Sequence, residues 1–539
     1  MVIALRADVD SWNPYTAGST TALNVLELLY PRLVRERWSP GTGIVIEPAL
    51  AEAWTFSADR RELTFHLREA RWSDGRSVDC ADVEFTWRAQ HAAALGWPGI
   101  YLKEAIEDFH CADRRTAVFR FSRPSAYQLL DANDDAQVSR AYGDLPFGKW
   151  LETAWEERMV SAGPFRLERV VPGQEAILVR DPTWWEAGRP YLERLVFRVY
   201  AGADEALRAL LAGEVDLLEK VPPARAAEVA AREDLALLDL PGLSWSFIAW
   251  NQLEPDAYGE DRRRRGCETG CSEDAGTIRA LLERRPHPIL SDPRVRRALT
   301  AAIDRQDLVD GPWHGHARVA VSPLVSFLGL PGQAEALPWD PVRAAAWLEE
   351  AGWKLPAGGG VRQKGGRRLE LEILVNADNT LRREVLERVV TNLDAVGVAV
   401  RPVALPRREF VARARAKDFD GLLGGWRAGT RIEPQSILHC DAAAGRGNNL
   451  GAWCDAEADA LAEQAAAASD LEHALPVWRR WEARFIEQQP YTMLYEERVL
   501  IGLSRRVHDA TPSPLHPYAG IENWWVDPPV RSAASAAAR

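Results

Sequence analysis

The sequence predicts an α/β protein of two or more lobes, and three observations carry that expectation. The chain has 539 residues, more than the roughly 250–300 at which a single hydrophobic core stops growing. Strand-like and helix-like periodicities alternate along it rather than segregating. Hydrophobic residues make up 47% against 27% charged, enough apolar material for large cores, which excludes global disorder.

The elements follow in chain order. VIALRAD and the later LTFHL, AVFRF, AILVR and LVFRVY have period-two patterning rich in Val, Leu and Phe, and read as strands. ADEALRALLAGEVDLL reads as an amphipathic helix stopped by Gly213 and followed by a short buried strand. The segment from Gln252 to Arg285 is polar and poor in apolar periodicity, and reads as a long surface insertion. Its basic run, Arg262 to Arg265, reads as a solvated loop beside Glu260 and Asp261. In DPRVRRALTAAIDRQDLV, Val295, Ala298, Leu299, Ala302 and Ile303 have the spacing of one helix face, with Pro293 suited to the first turn. DPVRAAAWLEEAGW is a helix opened by Asp340-Pro341 and closed at Gly352. LELEILVN, RREVLERVVTNLDAVG and VAVRPVAL then read as strand, helix, strand, the order of an open sheet covered by helices. GGWRAGTRIEPQSILHC, Gly424 to Cys440, reads as a loop because glycines and a proline interrupt every apolar period. AEQAAAASD is Ala-rich and helical, and the tail SAASAAAR is expected to fray.

Charge narrows the function classes. The 66 Lys and Arg against 78 Asp and Glu leave a net charge of −12, which argues against a body built to bind nucleic acid. No run of about 18 apolar residues occurs, so no helix is expected to span a membrane. The start, MVIALRADVDSWNP, lacks the basic, apolar and small-residue regions of a secretory leader. Either the protein is cytoplasmic or a leader is missing from this chain.

The six cysteines fall as Cys80 and Cys111, Cys267 and Cys271, and Cys440 and Cys454. Zinc needs about four converging ligands, usually with tighter spacing. A disulfide is favoured over metal for Cys440 and Cys454, and free buried thiols remain open for Cys80 and Cys111.

Catalytic signatures are thin. There is no GxSxG elbow, no phosphate loop ending in Lys-Ser or Lys-Thr, and no HExxH. His314 and His316 in WHGHAR have no acidic or thiol partner at ligand spacing, and read as loop histidines. A carboxylate pair for glycoside hydrolysis stays open, since carboxylates are plentiful. The 22 Trp residues suit sugar stacking, but most are expected in cores, where an indole N–H needs one partner.

EPALAEAWTFSADRRELTFHLREARWSDGRSVDCADVEFTW resembles the signature region of the solute-binding proteins of ATP-driven importers, the dipeptide, oligopeptide and nickel group called family 5. The match includes a Trp-x-Asp-Gly turn at Trp72 to Gly75 and a helix beginning near Ala81-Asp82-Val83. SAGPFRLERVVPGQEAILVRDPTWWEAGRPYLERLVFRVY is similar to further family phrases, with Phe165, Asp181 and Trp184 as departures. FIAWNQ, SDPRVRRALTAAIDRQDLV, PWDPVRAAAWLEEAGW and GAWCDAEADALAEQA continue in the family's order, so the resemblance runs from Ile3 to about Trp525.

The resemblance implies a periplasmic-binding-protein-like clamp of type II, cluster C, with an extra subdomain. Lobe I would comprise residues 1–45, 161–242 and 488–527, the extra subdomain 46–160 and lobe II 243–487, with a frayed tail at 528–539. Hinge strands would lie near Trp245 to Asn251 and Tyr491 to Tyr495.

Peptide-binding members carry in the matching loop a Trp, an Asp that pairs with the ligand's ammonium, and an acidic residue before a Pro. Here Trp426 and Glu433-Pro434 fit the frame, Gly429 stands where the Asp belongs, and Arg427 and Arg431 are extra. Glu433 could replace the anchor, the ligand could be anionic or no ordinary peptide, or Arg431 and Glu433 could simply pair at the surface. In NPYTAGSTTALN, Gly18 and Ser19 either present backbone groups to ligand or cap a helix. Trp245, Trp250 and Asn251 lie in the matched hinge strand, and alternation leaves open whether Trp245 faces cleft or core. The Cys440 and Cys454 spacing is similar to a disulfide in dipeptide-binding relatives, which implies an oxidising compartment.

The implied function is capture of a peptide or peptide-like solute between two lobes, without cofactor or catalysis, by an extracytoplasmic monomer that delivers it to a membrane permease powered by a separate ATPase. The alternatives are a cytoplasmic ligand sensor of the same fold and a carbohydrate or peptide hydrolase.

Overall fold

The computed structural model describes residues 1–527 apart from 134–135, 267–273, 331, 333 and 446. Cys267, Cys271 and the Ala-rich tail lie outside the described residues. The chain divides into two units, Met1–Leu240 with Val499–Arg539, and Pro241–Arg498.

In the first unit the strand Val2–Leu5 runs parallel to Arg194–Val199 on one side and to Leu217–Leu218 on the other. Ile3, Ala4 and Leu5 are buried, as expected for a strand covered on both faces. Glu175–Arg180 and Phe165–Val171 extend this sheet antiparallel. A separate four-stranded antiparallel sheet orders Ala51–Phe56, Glu62–Leu67, Thr116–Phe121 and Ile106–Asp113, with its own core around Leu63, Phe65, Trp72, Val83 and Phe119. Its helix, Cys80–His91, opens on a reciprocal cap. Asp79 accepts from the Ala81 N–H at 3.1 Å, and Asp82 accepts from the Asp79 N–H at 3.0 Å. The Trp72 to Gly75 turn closes through the Gly75 N–H on the Trp72 carbonyl at 2.8 Å. Gly75 sits there at φ 89°, a conformation that side chains resist. Cys80 and Cys111 form a disulfide with Cα atoms 5.8 Å apart, which decides the choice the sequence left open.

In the second unit the strands lie in the order Ala399–Leu405, Glu370–Asn376, Gly421–Arg427, Leu235–Trp250 and Tyr491–Ser504, of which the last two belong to this unit only from Pro241 and up to Arg498. The first three are parallel, and Gly421–Arg427 pairs antiparallel with Leu235–Trp250. Helix Thr380–Asp394 leads from the Glu370 strand to its neighbour on one side, and helix Arg407–Ala416 leads back to its neighbour on the other. The chain therefore switches direction across the Glu370–Asn376 strand. Of the 22 Trp residues, Trp72, Trp150, Trp155, Trp245, Trp250, Trp353, Trp478, Trp481 and Trp524 are among the largest fully buried side chains.

Two expectations need correction. DPRVRRALTAAIDRQDLV is two helices, Pro293–Ala302 and Arg305–Asp310, because Ile303 turns extended and Asp304 caps the second by accepting from the Asp307 N–H at 3.0 Å. The Gln252 to Arg285 segment is no bare insertion. It carries helices Ala257–Arg264 and Ala275–Arg284, whose Tyr258, Ile278 and Leu281 pack with Leu253 against Ala443, Ala444 and Ala452. So few buried positions give no readable period. Most of the basic run ends the first of these helices, and Arg265 pairs with Asp261 at 2.7 Å.

Cys440 and Cys454 form a second disulfide, Cα atoms 4.6 Å apart, across a sequence separation of 14. Replacing both by serine should lower the unfolding free energy by about 3 kcal/mol through the freed chain entropy of such a loop. Urea unfolding checks this, and an unchanged midpoint would show that the loop's own packing suffices.

Candidate functional site

The carboxyl ends of the parallel strands in the second unit are where open α/β sheets place ligands, at the point where the strand order reverses. Here those ends are Asn376 and the pair Trp426 and Arg427, with the first turn of helix Thr380–Asp394 beside them. The segment read as a loop is partly strand, since Gly424 to Arg427 complete the Gly421–Arg427 strand. Two glycines make this possible. A Cβ at Gly424 would lie 3.1 Å from Leu422 and Phe247, and one at Gly425 would run into the Arg382 guanidinium and lie 3.1 Å from the Trp245 carbonyl. Beyond the strand, Ala428 N–H bonds the Leu243 carbonyl at 2.8 Å, and Pro434 opens the short helix Gln435–Leu438.

Side chains alternate along a strand, so the register assigns faces. Ser244 lies opposite Arg427, Ser246 opposite Gly425, and Trp245 opposite Trp426. One face thus carries Ser244, Ser246 and Arg427, and the other carries the two Trp residues.

Arg427 is exposed, yet burial around it pushes its pKa below the ordinary arginine value. Among the described residues no acceptor meets its guanidinium. The Trp426 indole N–H is buried without a hydrogen-bond partner, a rare and costly state for a donor. Arg431 and Glu433 stand 3.8 Å apart, within ion-pair distance.

The other candidates have inward partners. Trp245 is buried, its ring 5.1 Å from Phe247, which in turn stacks on Tyr491 at 4.5 Å. Trp250 is buried and donates its indole N–H to Thr492 Oγ1 at 2.9 Å. Asn251 is wholly buried. Its amide donates to the Lys417 and Phe419 carbonyls at 2.9 and 2.8 Å, and its Oδ1 accepts from the Leu253 N–H at 3.1 Å. In the first unit Ser19 caps helix Thr20–Leu26, accepting from the Ala22 N–H at 3.1 Å. The Gly18 and Ser19 N–H groups donate to Asp10 Oδ2 at 3.0 and 3.1 Å, and the Ser19 hydroxyl donates to Oδ1 at 2.5 Å.

Sequence reading missed Arg382. It stands in the first turn of its helix, behind the cap Asn379, which accepts from the Arg382 N–H at 3.0 Å. Its Nη1 donates to Asn376 Oδ1 at 3.1 Å. The available signal was its position, the first helical turn after a parallel strand.

Among the described residues no cluster of His, Cys, Asp and Glu could hold a metal ion, and no helix is long and apolar enough to cross a membrane.

The comparisons with known proteins agree with this architecture. The dipeptide-binding protein of Escherichia coli (strain K12) is 23% identical over 551 residues, covering 96% of this chain and 92% of that protein. The oligopeptide-binding protein AppA of Bacillus subtilis, solved with a nonapeptide, superposes with a TM-score of 0.73 at 21% identity, covering 98% of this chain and 99% of that one. NikA of Brucella suis, solved with Fe(III)-EDTA, gives 0.79 at 19% identity, with 98% and 99% covered. The family model for the bacterial extracellular solute-binding proteins, family 5, matches residues 45–448. With most of its length matched in this way, the chain belongs to the bacterial extracellular solute-binding proteins of family 5.

Proposed function

We propose that this protein is the solute-binding component of an ABC importer, taking up a peptide or peptide-like solute outside the cytoplasm and delivering it to a membrane permease. The observation that carries the reading is the pair of unsatisfied donors, the Trp426 indole and the Arg427 guanidinium, at the carboxyl edge of a parallel sheet in a chain of this family. The buried Trp426 indole N–H suits a bound solute's acceptor, because buried polar groups are otherwise paired, and the exposed Arg427 guanidinium offers charged donors on the other face of the strand end. No covalent step is required, and the permease and ATPase belong to other chains. Trp426 and Arg427 are the foremost ligand contacts, with Arg431 and Glu433 beside them in the loop. Disulfides at Cys80–Cys111 and Cys440–Cys454 suit an oxidising compartment better than a cytoplasmic sensor.

Native mass spectrometry of freshly purified protein, followed by denaturing analysis of what is released, tests the proposal. Peptides or peptide-like molecules are the expected release. A non-peptide species, together with peptides that fail to raise the melting temperature, would reject the peptide reading.

A further inference from the structure

Helices Pro293–Ala302 and Pro341–Glu350 of the second unit pack side by side in opposite directions. The Asp340 N–H donates to the Ala301 carbonyl at 2.8 Å at one end, and Arg294 Nη1 donates to the Glu350 carbonyl at 3.5 Å at the other. Between them the Trp347 ring takes two guanidiniums, Arg297 from one helix at 4.8 Å and Arg343 from the other at 4.9 Å. Stacking uses the flat face of a guanidinium and leaves the N–H donors at its edge for an acceptor. Among the described residues neither arginine forms an ion pair with a carboxylate, and Arg297 Nε is buried without a hydrogen-bond partner. The acids close by in sequence are engaged elsewhere. Asp292 holds Arg294 at 2.7 Å, Asp340 caps its helix by accepting from the Arg343 N–H at 2.8 Å, and Glu349 pairs with Arg362 at 2.6 Å. Glu350 lies two turns from Arg343, at the Arg294 end.

Two apolar side chains stand beside this cation pair. Trp339, just before the cap, is 54% exposed, and Val342, next to Arg343 in the first helical turn, is 81% exposed. Single exposed apolar residues need no explanation. An exposed Trp and Val adjoining two uncompensated guanidiniums make a patch of definite chemistry, because indole settles at the level of lipid headgroups and guanidinium meets phosphate with paired N–H donors. The chain as a whole carries a net charge of −12, so an anionic bilayer repels it except where such a patch faces the surface.

We propose that Arg297, Arg343, Trp339 and Val342 form a contact surface for anionic phospholipid headgroups, which holds this side of the second unit against a membrane. The inference goes beyond solute capture and does not depend on which solute is bound.

Co-sedimentation of the full chain with vesicles tests it, using phosphatidylcholine alone and a mixture with phosphatidylglycerol. At about 20 mM salt the partition onto the anionic vesicles should exceed that onto phosphatidylcholine by at least about fivefold, and at about 500 mM salt the excess should vanish. Arg343→Gln should lower the anionic partition about fivefold, the scale of one basic residue near such a surface, and Trp339→Ser should lower it several-fold. Both positions are exposed, so these variants are expected to fold, which circular dichroism and an unchanged melting temperature check. Equal partition onto the two vesicle types, no partition onto either, or full partition retained by both variants would each overturn the lipid contact. An acidic protein segment is the other occupant such a patch would suit. Binding of an oligoglutamate peptide that is lost in Arg343→Gln, without partition onto anionic vesicles, would assign the patch to that partner and overturn the proposal. Solute release in native mass spectrometry is read separately, so failure of the lipid contact leaves the solute-binding reading standing.

Discussion

Arg296→Met is expected to lower the unfolding free energy of the second unit by about 4 kcal/mol, since it strips the donors from four carbonyls, two of them in fully buried bonds and two in part-buried ones, at about 1–3 kcal/mol each before relaxation. Arg296 is 1% exposed. Its Nη1 donates to the Leu290 and Ser291 carbonyls at 2.6 and 3.1 Å, its Nη2 to Gln488 at 2.8 Å, and its Nε to Gln488 and Gln489, both at 3.1 Å. Gln488 is the last residue of helix Leu471–Gln488, and Gln489 follows in the left-handed region at φ 45°. The guanidinium therefore takes up carbonyls at a helix C-terminus, where a cation is also favoured by the helix dipole. Burial pushes the Arg296 pKa down to about 9, so it is still charged at neutral pH. The charge is held by carbonyl dipoles, and methionine of similar length supplies none of the donors. Urea unfolding followed by Trp fluorescence measures the effect. A loss under about 1 kcal/mol would mean that water enters and takes over the carbonyls.

Asn251→Asp should cost about 3–4 kcal/mol, and its effect should appear in stability and not in solute affinity. The wild-type carboxamide meets two carbonyls with its N–H groups and one N–H with its oxygen, all within the unit. Aspartate has nearly the same shape but offers only acceptors when ionised. It would turn a carboxylate oxygen toward the Lys417 and Phe419 carbonyls in a site that is 0% exposed. Either the charge is buried against acceptors or the group protonates, at a cost that grows as pH rises above the ordinary carboxylate range. Thermal unfolding at pH 5 and pH 8 should therefore show the larger loss at pH 8. Affinity is to be compared below the melting transition, where both proteins are folded. A variant of unchanged stability with weakened affinity would place Asn251 against the solute instead.

Much of the fold was legible because its signals are local. The order strand, helix, strand from Leu369 to Leu405 follows from periodicity, and the structure adds the Asn379 cap and Gly397 at the turn as its local causes. The helix at Cys80 was placed to within a residue by the family resemblance, and the structure shows that its start is fixed locally, by the reciprocal cap of Asp79 and Asp82. Ile303 misled because a helical apolar spacing persists across a break that only an extended backbone and the next cap reveal. The helices near Tyr258 and Ile278 were hidden because so little of each is buried.

At the site the division is sharper. Sequence alone determined that a Trp and two Arg stand in a glycine-rich segment with no acid at Gly429, and that the chain follows the order of a solute-binding family. Tertiary structure decided which of those groups are occupied. Trp250 and Asn251 have partners from Lys417, Phe419 and Thr492, more than 160 residues away along the chain. Arg382 is brought over Gly425 by a parallel pairing that joins segments almost 50 residues apart. Periodicity reports which face of an element is apolar, a property of neighbouring residues. Whether a polar atom is satisfied depends on atoms that only long-range folding brings within about 3 Å, and so the free donors of Trp426 and Arg427 became visible only in three dimensions.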